Sequence, residues 1–170
     1  MTTRTINLWA DGEVLFADDL NDTINDVDVP ILTGGGTAVG TGSKAIGSAT
    51  VSASRYSDED SFEFTTYMEN DGASGSSSTV ELKIGGTTII NQALDQGGYV
   101  NATIFSSKRN PNKIVARQFR VSEEQNSWVT SKLNTILGTA WASNGFDVEV
   151  FLNNSAASMT GWINYTFKGN

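Results

Sequence analysis

The sequence predicts a mainly β protein: an antiparallel β-sandwich or jelly-roll-like body with one short helix, preceded by an N-terminal docking arm. Three observations lead there. Short stretches alternate apolar and polar residues with a period of two, most cleanly Val80, Leu82 and Ile84 against Glu81 and Lys83, the pattern of a half-buried strand. Polar turn clusters separate them at Asn70-Asp71-Gly72, Gln96-Gly97-Gly98, Asn110-Pro111-Asn112, Asn144-Gly145 and Asn153-Asn154-Ser155, a spacing typical of sandwiches and jelly rolls. Of 170 residues only 18% are charged and 38% hydrophobic, with most of the rest Ser, Thr, Asn and Gly. Such a surface is hydrated without being strongly charged.

Residues 1–32 read as the arm. Asp11-Gly12 is a turn signal, and Val14, Leu15 and Phe16 form an apolar run. Asp18 or Asp19 then caps a helical turn carrying Leu20 and Ile24 on one face. So small an element cannot bury itself, and Trp9, Leu15, Phe16, Leu20 and Ile24 are expected to dock on another surface. Asp28-Val29-Pro30 closes the arm. Residues 33–43, Thr-Gly-Gly-Gly-Thr-Ala-Val-Gly-Thr-Gly-Ser, have the composition of a flexible linker, and residues 44–170 form the body.

Strands are expected there at 46–54, 61–68, 79–84, 87–90, 99–106, 113–121, 146–152 and 159–167, with Gly85-Gly86 as a hairpin turn. The helix is expected after Ser122-Glu123-Glu124-Gln125, a capping-box pattern, with Val129, Leu133, Ile136 and Leu137 on one face and Gly138 at its end.

The chain has no Cys and no His. That removes thiol nucleophiles, disulfides, Ser-His-Asp triads and His-ligated metals. A net charge of −8 argues against nucleic-acid binding, and the basic residues Lys108, Arg109, Lys113, Arg117 and Arg120 read as a solvated loop and strand face. No apolar run is long enough to cross a membrane, and no basic segment followed by an apolar core marks a signal peptide.

Three candidate chemistries fail on spacing. The Gly-rich stretch has Lys44 after Ser43 rather than the Gly-Lys-Ser/Thr order of a phosphate loop. Asp18, Asp19, Asp22, Asp26 and Asp28 match no calcium loop. Glu63, Glu69, Glu81, Asp147 and Glu149 all fall at outward strand positions, with no reason to pair as an acid–base couple. No catalytic residue, metal or cofactor is expected, and the sequons at Asn21, Asn101, Asn153 and Asn164 are explained by chance.

Aromatics are the stronger functional signal. Sugar rings stack on aromatic faces while their hydroxyls bond to amides and hydroxyls. Trp162 has opposite parity from Ile163, Tyr165 and Phe167, so it is expected to face solvent. Tyr67 and Tyr99 are similarly placed, and the three are candidate glycan contacts. The alternative makes Trp128, Trp141 and Trp162 core or subunit-interface residues.

The stretch Trp9-Ala10-Asp11-Gly12, followed by Ala17-Asp18-Asp19-Leu20-Asn21, resembles the N-terminal segment of tailed-bacteriophage structural proteins, especially tail-fibre and other appendage proteins. The resemblance implies a virion component made in the host cytoplasm. It implies an arm docked on capsid or tail proteins, a homotrimer, and a fibre- or spike-like role in contacting the host surface. The alternatives are a capsid decoration protein that stabilises the shell, and a carbohydrate-binding module or polysaccharide-degrading enzyme.

Overall fold

The computed structural model describes residues 30–53, 55–57, 60–73, 75–107, 110–122, 127–136 and 142–169. These residues form ten strands and no helix: β1 (Leu32–Val39), β2 (Gly42–Val51), β3 (Ser61–Asn70), β4 (Ser77–Ile84), β5 (Thr87–Asp95), β6 (Gly97–Ser107), β7 (Asn110–Ser122), β8 (Ser127–Ile136), β9 (Phe146–Asn154) and β10 (Thr160–Gly169). They make two antiparallel sheets. One has six strands in the order β1-β10-β3-β6-β7-β8, the other four in the order β2-β9-β4-β5.

Strand alternation supplies the core. Phe62, Phe64, Met68, Val100, Ala102, Ile104, Ile163 and Phe167 point inward from the large sheet, and Val80, Leu82, Ile84, Val148, Val150 and Leu152 from the small one, all 2% exposed or less. Phe62 anchors one end: it stacks on Phe167 at 5.6 Å and meets the edges of Phe146 and Tyr56 at 5.3 and 5.0 Å, favourable aromatic geometries. The opposite end is pinned by a polar group. Asn154, 2% exposed, accepts from Ser78 Oγ at 2.8 Å and donates to the carbonyls of Ala38 and Met159 at 2.8 and 3.1 Å. Its side chain thereby joins β9 and β4 to β1 of the other sheet, with its amide oxygen and both amide hydrogens used.

The small sheet ends over β7. Gln118 donates to Gln92 Oε1 at 2.9 Å, and Arg120 to the carbonyl of Ala93 at 3.2 Å. Arg120 thus faces β5 while Arg117, three residues earlier, is exposed on the other side of β7. The basic residues 113–120 therefore do not share one face.

Two expectations are corrected. Residues 33–43 are not a linker. They are β1, a turn, and the start of β2, and β1 pairs with β10 in unbroken register from Leu32↔Phe167 to Val39↔Thr160. The glycines are there for close approach. A Cβ at Gly34 would lie 2.9 Å from Tyr165 Oη, and one at Gly35 or Gly36 would press on Asn164 Oδ1 or Ile46 Cγ2. Residues 31–43 therefore belong to the body, and Ile31 N already bonds the carbonyl of Phe167.

The helix is not found where it was expected: Ser127–Ile136 is strand β8, paired residue for residue with β7. The apolar positions Val129 and Leu133 fit a period of two as well as a helical turn, and Val129, Thr130, Thr135 and Ile136 are β-branched, which favours a strand once a partner is present. The capping-box residues Glu123, Glu124 and Gln125 lie outside the described residues, as do residues 1–29 of the expected arm with Trp9, Leu15, Phe16, Leu20 and Ile24.

Candidate functional site

Strand register draws a map of the outer face of the six-stranded sheet. One row runs Thr37, Trp162, Glu69, Gly97 across β1, β10, β3 and β6. The next runs Gly35, Asn164, Tyr67, Tyr99, Val121, and the third Thr33, Thr166, Thr65, Asn101, Phe119. Tyr67 and Tyr99 are therefore directly opposite each other. Trp162 is the diagonal neighbour of Tyr67, and Phe119 the diagonal neighbour of Tyr99, distances at which aromatic side chains still meet. The four aromatics form an oblique strip across four adjacent strands, about 14 Å wide at the usual inter-strand spacing.

The large hydrophobic side chains exposed among the described residues are Val39, Tyr67 and Trp162, at 64, 38 and 44%, and all three lie at one end of this face. Tyr99 and Phe119 are half-buried. The sequence-derived candidates Tyr67, Tyr99 and Trp162 are thus brought together. Trp162 is not core, because β10 turns Ile163, Tyr165 and Phe167 inward. Trp128 occupies the register position opposite Val121, at the far end of the tyrosine row. Trp141 lies outside the described residues.

Polar groups flank the strip. Tyr67 Oη donates to Glu69 Oε1 at 2.5 Å, which ties the phenol to the strand that carries it. Asn164 leans over Gly35, the position where a Cβ would collide with its amide oxygen. Beyond the strip, Asn101 donates to Glu63 Oε1 at 2.8 Å, and Lys168 pairs with Glu63 at 3.3 Å. The Asn101 hydrogen bond, with help from Lys168, holds the Glu63 carboxyl below its ordinary pKa in spite of partial burial.

The strip sits at a defined end of the molecule. β1 begins beside Phe167 and ends beside Thr160, so Trp162, opposite Thr37, is roughly 17 Å along the strands from Leu32. The loop after β3 and the turn after β5 share that end. The β3–β4 loop and the β5–β6 turn are held together by Asn70 N to Gln96 O at 2.8 Å and Gln96 N to Ser76 O at 3.1 Å. These bonds fix Gln96 at a φ of 56°, a left-handed conformation uncommon outside glycine.

The outer face of the small sheet is different. Glu81 accepts from Thr88 at 2.6 Å and pairs with Lys83, and the Lys83 ammonium covers the half-buried Phe151 ring at 4.3 Å. Sequence reasoning missed Phe119, Asn164 and Glu69 as parts of the strip. Parity alone gives their face, but only pairing shows which strands are neighbours.

No family model matches the chain, and a search of curated proteins gives no match. Among solved structures, it is similar to the EclA C-terminal domain, a sugar-binding protein, at 13% identity and a TM-score of 0.40, over 82% of this chain and 81% of that one. It is similar to the CBM2 module of the evolved Dit of Lactobacillus casei BL23 phage J-1 at 12% identity and a TM-score of 0.36, over 72% of this chain and 68% of that one. It is also similar to Lectin I from Ulex europaeus, solved with the methyl glycoside of α-L-fucose, at 8% identity and a TM-score of 0.37, over 81% of this chain and 98% of that one.

Proposed function

We propose that this chain is a non-enzymatic, glycan-binding β-sandwich of a tailed-phage virion, an appendage that contacts the host surface through the outer face of its large sheet. The observation that carries the reading is the strip of Trp162, Tyr67 and Tyr99 on three adjacent strands, with Trp162 and Tyr67 exposed. Leaving an indole and a phenol in water loses the stabilisation their burial would bring, about 1.5–3 kcal/mol for a large apolar side chain, and a stacking ligand recovers it. The virion assignment rests on the resemblance of residues 9–21 to phage appendage proteins. By the same resemblance the protein docks through its arm on capsid or tail proteins and assembles as a homotrimer.

Binding without bond cleavage is supported by the acids. A general acid needs a raised carboxyl pKa. Glu63 is instead pulled down by Asn101 and Lys168.

The test is attachment to host cells and to a glycan array with Trp162→Ala and Tyr99→Ala. Each should weaken binding about tenfold or more, the order expected when a stacked aromatic contact of 1–3 kcal/mol is lost. The Trp162→Ala variant should melt within a degree or two of the parent. Loss of fold in either variant, or undiminished attachment, would sink the reading.

A further inference from the structure

Resting on that reading, we infer that the strip takes an internal segment of a neutral, linear glycan lying across the strands, and rejects polymers of uronic or sialic acids. Three observations carry this. First, the aromatics fall on four consecutive strands, β10, β3, β6 and β7. That length exceeds a single sugar ring and suits a run of rings, each stacking in turn, rather than one terminal sugar.

Second, the three rows that hold the aromatics contain one charged residue among the described positions, the carboxylate of Glu69. Next to Trp162 at the strip's end, Asp71 accepts from Thr160 N at 2.6 Å. Carboxylates accept hydrogen bonds from sugar hydroxyls and repel sugar carboxylates. Third, the cations on this face are at positions in the adjoining row, outside the three that hold the aromatics: Lys168 is paired with Glu63 at 3.3 Å, and Arg117 and Lys132 occupy facing register positions one row beyond Phe119. The chain's net charge of −8 adds a general repulsion of polyanions.

Affinity electrophoresis of the full chain through gels containing β-glucan, galactomannan, hyaluronan or polygalacturonate separates the possibilities, followed by titration with glucose and glucose oligomers of increasing length. A neutral polymer should retard the protein, and Trp162→Ala should abolish the retardation. The acidic polymers should leave mobility unchanged at low salt, and affinity should climb at least tenfold from the single sugar to the longer oligomers. Glu69→Gln should weaken neutral binding severalfold, as expected when a charged acceptor becomes a neutral one. Retardation by an acidic polymer that Trp162→Ala removes would keep the glycan-binding strip and overturn the neutral assignment. Oligomers binding no better than the single sugar would overturn the linear one. Retardation by no polymer, neutral or acidic, with no binding on a glycan array, would overturn the glycan reading itself.

Discussion

Trp162 and Phe167 sit five residues apart on β10 and have opposite surroundings. Phe167 is wholly buried against Phe62 and Phe146, so Phe167→Ala should cost about 3–5 kcal/mol. That loss should appear as a lowered denaturant midpoint with an unchanged slope. Trp162→Ala, from the exposed side of the same strand, should move the midpoint little. Parity along 159–167 foretold this contrast because an antiparallel strand with one wet face leaves no other arrangement.

Glu63 gives a residue-scale effect that the sequence did not show. Its carboxyl is lowered first by the Asn101 amide and then by Lys168. A group whose folded pKa is depressed contributes stability at pH above its ordinary value, here 4.5, and that contribution is lost as pH falls through the folded value. Asn101→Ala should therefore raise the Glu63 pKa in a carboxyl NMR titration. It should also flatten the dependence of stability on pH below about 4.5. An unmoved Glu63 titration would show that Asn101 is not the main cause.

At the scale of elements, the clearest misreading is the glycine-rich stretch. Composition made 33–43 a linker because Gly, Thr and Ser are what flexible segments contain. The same composition suits a strand that must lie close to bulky neighbours. Tyr165, which burial gives a raised pKa, extends over Gly34 and Gly47, where a Cβ would strike its hydroxyl. No local signal distinguishes the two cases, since the neighbour is over a hundred positions away in sequence. Gly47→Val should accordingly destabilise the domain by about 1–3 kcal/mol, the usual penalty for overpacking. Tyr165→Phe combined with Gly47→Ala should recover part of what Gly47→Ala alone loses. The β8 segment was misread for a related reason. Its apolar spacing satisfied two periods, and the choice between them was made by pairing with β7.

The strands that local alternation marked strongly, β3, β4, β6, β9 and β10, were legible in the sequence, because each has one face on a core. The membership of the strip was only partly legible. Tyr67, Tyr99 and Trp162 could be assigned to a wet face, yet their adjacency depends on β10 pairing with β3 and β3 with β6, long-range choices that parity does not encode.

At the scale of the whole molecule, the fold has a direction. The chain enters at Pro30, beside the Phe167 end of β10, and the strip lies toward the other end. An appendage anchored through residues 1–29 would present the strip outward. Removing residues 1–29 should leave a folded domain that binds glycan and no longer joins particles. Removing residues 1–39 should unfold it, because that deletes β1 and exposes Ile163 and Tyr165 at a new sheet edge. Equal stability of the two truncations would contradict the place of β1 in the sandwich. A particle that turns fragile without the protein, and shows no loss of cell attachment, would favour the decoration role.

The most direct test of the central claim is to map backbone amide NMR shifts of the full chain as the tightest-binding glycan from an array is added. The predicted result is a cluster of shifts at Thr37, Tyr67, Glu69, Gly97, Tyr99, Phe119, Trp162 and Asn164, with the small sheet's outer face around Glu81, Lys83 and Phe151 unmoved. Shifts centred on that second face, or at the Pro30 end of the sandwich, would contradict it.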